Sequence, residues 1–101
     1  MSLDLAILGD DGAPTLSAAL GVAAHVELIT VATKQEAIQV LRMHEYYEDV
    51  AFDEAEARAL RFELENMRSS LSPETMNEVD GMLRLLREAQ SRCVGVLAIA
   101  D

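Results

Sequence analysis

The chain has 101 residues, half of them apolar, with eighteen acids against eight bases and a formal net charge of −10 at neutral pH. That length suits one compact domain with a real core, and a single α+β domain over residues 1-101 is the expectation. The charge excess argues against a phosphate backbone or an anionic membrane surface as partner and favours a basic protein, although acidity also serves solubility alone.

Leu3 to Leu8 (LDLAIL) is a short apolar run that reads as a strand. The cluster Gly9-Asp10-Asp11-Gly12 behind it tolerates positive φ and reverses the chain. Ala13 to Leu20 returns as a second strand, with Pro14 acceptable at a strand start or edge. Residues 22 to 32 are two-sided. Val22, Val26, Ile29 and Thr33 keep helical spacing, while HVELITVAT also alternates as a strand would; we take the helix.

Thr33-Lys34-Gln35-Glu36 has the form of a capping box, which predicts a helix from Lys34 to about Tyr46 or Tyr47 with Ala37, Ile38 and Leu41 inward. Glu48 to Asp53 has no periodicity and is expected as a loop. Asp53 is a good N-cap, Glu54 and Glu56 suit the positive end of the next helix, and Leu60, Leu64, Met67 and Leu71 make its stripe. Ser72 as N-cap with Pro73 at the first helical position starts another helix, to about Arg92. Its inner face is Met76, Val79, Met82 or Leu83, Leu86 and Ala89, and Asp80, Arg84, Glu88 and Arg92 form a charge ladder outside. Val94 to Ala100 (VGVLAIA) closes the chain as a central strand. The expected architecture is a sheet of about three strands, an N-terminal hairpin plus the C-terminal strand, under about four helices.

The sequence predicts a binding protein with no catalytic residues and no cofactor. His44-Glu45-Tyr46-Tyr47-Glu48 resembles the zinc-protease helix except that position 48 is Glu where the second histidine belongs; the alternative, a metal-dependent module on His44, Glu45 and Glu48, needs His25 from another element to complete it. His25 and His44 are the only histidines, and neither a serine nor Cys93 sits in a nucleophile signature. His25 therefore reads as a partly buried, hydrogen-bonded histidine, and Cys93 as a small buried hydrophobe. The glycines near Asp10 and Asp11 lack the subsequent Lys and Ser or Thr of a phosphate loop, and the Asp pair lacks the ligand spacing of a calcium loop. One cysteine excludes an internal disulfide or a Cys-based zinc cluster. No apolar run approaches the roughly 20 residues of a membrane span. The N-terminus has no basic opening of a secretory signal, so a cytoplasmic location is expected.

The informative stretch is residues 45 to 56, EYYEDVAFDEAE, with six acids and no Lys or Arg. Tyrosines among carboxylates join an apolar body to a polar tip, and the charge steers a basic partner onto them. The candidate partner-binding residues are Glu45, Tyr46, Tyr47, Glu48, Asp49, Asp53 and Glu54, with Glu45, Glu48 and Asp49 expected to stay exposed and unpaired. The structural alternative packs a tyrosine under the next helix and leaves the acids solvating a loop.

In size, charge and layout, the run LRMHEYYED (residues 41 to 49), the opening DLAILGDDG and the closing LAIAD resemble small acidic immunity proteins of bacterial toxin systems. The resemblance implies a cytoplasmic inhibitor that caps a basic toxin, often a nuclease, with carboxylates in its phosphate subsites. The rival expectation is a homodimer held by Leu and Met surface on the helices over 53 to 92, with no dedicated ligand.

Overall fold

The computed structural model describes residues 3–44 and 48–100. Strand β1 (Leu3–Leu8) and strand β2 (Pro14–Leu20) form the expected hairpin, in antiparallel register from Leu3 opposite Leu20 to Ile7 opposite Leu16. Gly12 takes the positive φ of 79° that the reversal needs, and Ala13 N–H donates to the Asp11 carboxylate at 3.0 Å.

Helix α1 (Val22–Gln35) resolves the two-sided segment as helical and buries Ala24, His25, Leu28 and Ala32. It also corrects the expected helix start at Lys34. The Thr33 hydroxyl donates back to the Ile29 carbonyl at 2.8 Å, so it is not free to cap a new helix, and Glu36 ends α1 in the left-handed conformation with φ 55°. The chain then makes one short turn, α2 (Ile38–Leu41), in which Val40 points inward and Ile38 is 70% exposed, opposite to the expected orientation of Ile38. The Glu63 carboxylate caps that turn, accepting from Gln39 N–H at 3.1 Å and Val40 N–H at 2.9 Å.

Helix α3 (Glu54–Met67) starts where predicted. The Asp53 carboxylate accepts from Glu56 N–H at 2.8 Å, and Asp53 N–H donates to the Glu56 carboxylate at 2.9 Å, a complete capping box. A 3₁₀ turn over Arg68–Ser70 leads to α4 (Pro73–Arg92), capped by Ser72. Glu27 of α1 reinforces that cap: its carboxylate accepts from Ser72 N–H (2.5 Å), the Ser72 hydroxyl (2.7 Å) and the Thr75 hydroxyl (2.7 Å). These bonds, the Thr75 hydroxyl foremost, hold the Glu27 carboxyl below the ordinary carboxylate range. In the ladder on α4, Glu88 does pair with Arg92, but Asp80 turns to Arg68 at 2.6 Å in place of Arg84. That hydrogen-bonded pairing lowers the Asp80 pKa and raises that of Arg68.

The sheet has four strands in the order β2-β1-β4-β3. Strand β4 (Val96–Ala100) is central as predicted, antiparallel to β1 with Leu5 opposite Ala98, so the two terminal LAI segments lie side by side. The unpredicted fourth strand is β3 (Val50–Phe52), which lies in the expected loop and pairs Val50 with Ala98 and Phe52 with Val96. The buried residues Leu3, Leu5, Ile7, Phe52, Val96 and Ala98 share one face of this sheet with α3 and α4 against it. The opposite face holds Asp4, Ala6, Leu8, Ala51, Leu97 and Ile99, of which Ala6 is buried while Leu8 and Ala51 are exposed. No helix of the described residues is long and apolar enough to cross a membrane. Cys93 is not a core residue: it is exposed at the end of α4 with φ 56°, because the chain must turn left-handed there to enter β4.

Candidate protein-binding surface

The acidic segment lies where the chain passes from α2 to β3 and into α3. Its entrance is anchored from the core side, where buried His25 of α1 bonds through Nε2 to the Met43 carbonyl at 2.6 Å. His25 is thus the hydrogen-bonded histidine expected from the sequence. His44 is exposed and its Nδ1 bonds the Leu41 carbonyl at 3.0 Å. Glu45, Tyr46 and Tyr47, together with the zinc-like spacing that includes Glu45, lie outside the described residues. No cluster of three or more His, Cys, Asp or Glu suited to a metal ion occurs among the described residues.

The structure separates the remaining acids by task. Glu48 is exposed and makes no hydrogen bond or ion pair with any described residue. Asp49 is also exposed, but its carboxylate accepts from Ala100 N–H at 2.7 Å, extending the β3–β4 pairing by one side-chain bond. It is therefore not unpaired as expected. Asp53 and Glu56 are held in the capping box, and Glu54 makes only an exposed pair with Arg58 at 3.4 Å, a contact of small energetic weight.

One base that the segment's own composition hides sits directly on it. Arg42 donates to the Ala51 carbonyl at 2.8 Å, pairs with Glu56 at 3.0 Å, and lies 4.7 Å above the Phe52 ring. It ties the end of α2 to the outer edge of β3 and removes one carboxylate from the free negative surface. Sequence inspection could have found it only by looking upstream of the segment, where Arg42 is the nearest base.

A second feature missed from the sequence is apolar. Leu8, Ala51, Phe52, Gly95, Val96 and Leu97 line a recess of about 240 Å³ at the β3 end of the sheet. Ala51 belongs to it and stands two residues from Asp49 and from Asp53, so an apolar floor adjoins the acidic segment. The floor needs Gly95. A Cβ there would lie 2.2 Å from the Phe52 carbonyl oxygen, so only glycine lets β3 approach this closely.

The helical faces proposed for a dimer are not available as such. Leu60, Leu64, Met67, Met82, Leu83 and Leu86 are all buried within the chain, and the large apolar side chain left outside on α3 is Phe62, 68% exposed. No protein-family model, curated protein or solved structure matches the chain.

Proposed function

We propose that the chain is a protein-binding module that receives a basic partner on the acidic segment between α2 and α3, in the manner of an immunity-type inhibitor. The observation that carries this reading is the pairing of uncommitted carboxylates with an apolar floor. Glu48 has no internal task and Glu54 only a weak one, while Ala51, between them in the chain, lies with Leu8 and Leu97 in an apolar recess. Interfaces combine these elements, an apolar centre that excludes water and a charged rim that steers encounter. The acids committed to the fold, Asp49, Asp53 and Glu56, hold the segment in place and contribute negative potential. Occlusion of a cationic cleft needs no chemistry from this chain, only shape and charge.

The test is affinity capture by the tagged chain from its native host, repeated with Glu48→Lys/Glu54→Lys. The reading expects a basic partner whose retention weakens with salt and is lost with the double variant. A host extract that yields no basic partner, or one retained equally by the variant, refutes it.

A further inference from the structure

The two edges of the sheet are treated very differently. Edge β3 is three residues long, its Ala51 carbonyl is occupied by Arg42, and Asp49 bonds Ala100 beyond its end. Edge β2 is seven residues long, and no charged residue occurs between Ala13 and Gly21. No described side chain bonds the backbone of residues 14 to 19, and the one bonding side chain there, Thr15, turns its hydroxyl inward to the Ile7 carbonyl at 3.1 Å. Proteins ordinarily block such an edge with charge, proline or a covering element, because its outward N–H and C=O groups template another strand. Here Pro14 blunts only the first position.

We propose that β2 is the seam of a homodimer, pairing antiparallel with β2 of a second copy to give one eight-stranded sheet. The side chains along the edge fit a two-fold axis at Ser17. That axis sets Ser17 opposite Ser17, Leu16 opposite Ala18 and Thr15 opposite Ala19, so each pair off the axis joins a larger side chain to a smaller one. Leu16 is the protruding group, 41% exposed. The matching hollow lies at Ala18, where α4 passes with Gly81: a Cβ on Gly81 would be 3.9 Å from the Ala18 methyl and meet no backbone. The glycine is therefore not required by packing within one chain, although it weakens the helix interior. A groove of about 390 Å³ runs between β2 and α4 at this place. Each copy's Leu16 enters the other's Ala18–Gly81 hollow, so one contact is made twice. Charge allows it. The groove's charged side chains are Glu78 and Arg84, which sum to zero, so two chains of −10 meet along a neutral strip.

Sedimentation velocity over a range of concentrations, with a cross-linking arm, tests the seam. The native chain is expected to reach twice its 11.0 kDa mass. Leu16→Lys, a charge placed in the hollow, is expected to raise the dimer dissociation constant about tenfold or more, and Phe62→Lys on the far helix to leave it unchanged. Circular dichroism verifies that the variants fold. In a Cys93→Ser background, Ser17→Cys is expected to form a covalent dimer faster than Asp11→Cys at the exposed turn, because only the seam holds two copies of one position at disulfide distance. A monomer at every concentration, a dimer indifferent to Leu16→Lys, or equal cross-linking at positions 17 and 11 overturns the proposal.

Discussion

Gly95→Ala is the most consequential small change in the molecule. The added Cβ would stand 2.2 Å from the Phe52 carbonyl oxygen and about as close as contact permits to the Asp53 backbone, at 3.1 and 3.2 Å. Relief requires the strand carrying Phe52 to recede by about 1 Å, and the obstacle is backbone, which has no rotamer to change. That movement separates β3 from β4 at the Phe52–Val96 pair and loosens Phe52, a side chain only 2% exposed. Overpacking of this kind costs about 1–3 kcal/mol, and partial release of a buried Phe adds to it, so a loss of about 2–4 kcal/mol is expected. For a domain of this size that lowers the melting temperature by roughly 10–25 °C, readable by circular dichroism and by a lower urea midpoint. Gly81→Ala, measured at dilute protein, is the control: its Cβ meets only side-chain atoms at 3.7 and 3.9 Å, and the better helix former is expected to stabilise the chain by about 0.5–1 kcal/mol. A Gly95→Ala chain melting within about 2 °C of the native one would refute the close approach of β3 and β4.

The same contacts set three other outcomes. The folded-state pKa values of Glu27 and Asp80 lie below their ordinary ones, so the stability they contribute is complete above the ordinary carboxylate range and is lost as pH falls through the lowered values. Acid titration of Glu27→Gln, read by far-ultraviolet dichroism, is expected to show a shallower loss of stability in that window than the native chain; an identical slope would show that Glu27 is no source of the acid sensitivity. Arg42→Ala opens the β3 edge and leaves Glu56 without its cation, with an expected loss of about 1–2 kcal/mol in urea unfolding. Unchanged unfolding would mean that Arg42 does not hold the edge. Leu60→Ala, at a fully buried position of α3, is expected to cost about 2–5 kcal/mol in the same assay, and a cost below about 1 kcal/mol would contradict its burial.

What could be read from sequence was local. Helices α3 and α4 were visible because their starting signals act within four residues: Asp53 with Glu56, and Ser72 with Pro73. The same kind of signal misled at Thr33–Glu36, where the hydroxyl was already engaged one turn back on Ile29. Strand β3 was not legible, since three residues carry no period and their conformation depends on pairing with β4, more than forty positions away. Cys93 was misjudged for a related reason, its apolar neighbours belonging to the strand while the residue itself turns the chain. The acidic segment was evident from composition. Which of its acids are engaged was not, because Asp49 is tied to Ala100 fifty-one residues on and Glu56 to Arg42 across the β3 edge.

The central claim is that Glu48 and Glu54 meet a basic partner, and titration calorimetry of the purified partner against the native chain and Glu48→Lys/Glu54→Lys tests it most directly. Reversal of the two charges is predicted to weaken binding by about tenfold or more while the variant stays folded by circular dichroism, its melting temperature lowered by no more than about 10 °C for the cation placed at the N-terminus of α3, with the native affinity falling as salt rises. Equal affinity of the native and charge-reversed chains would contradict it.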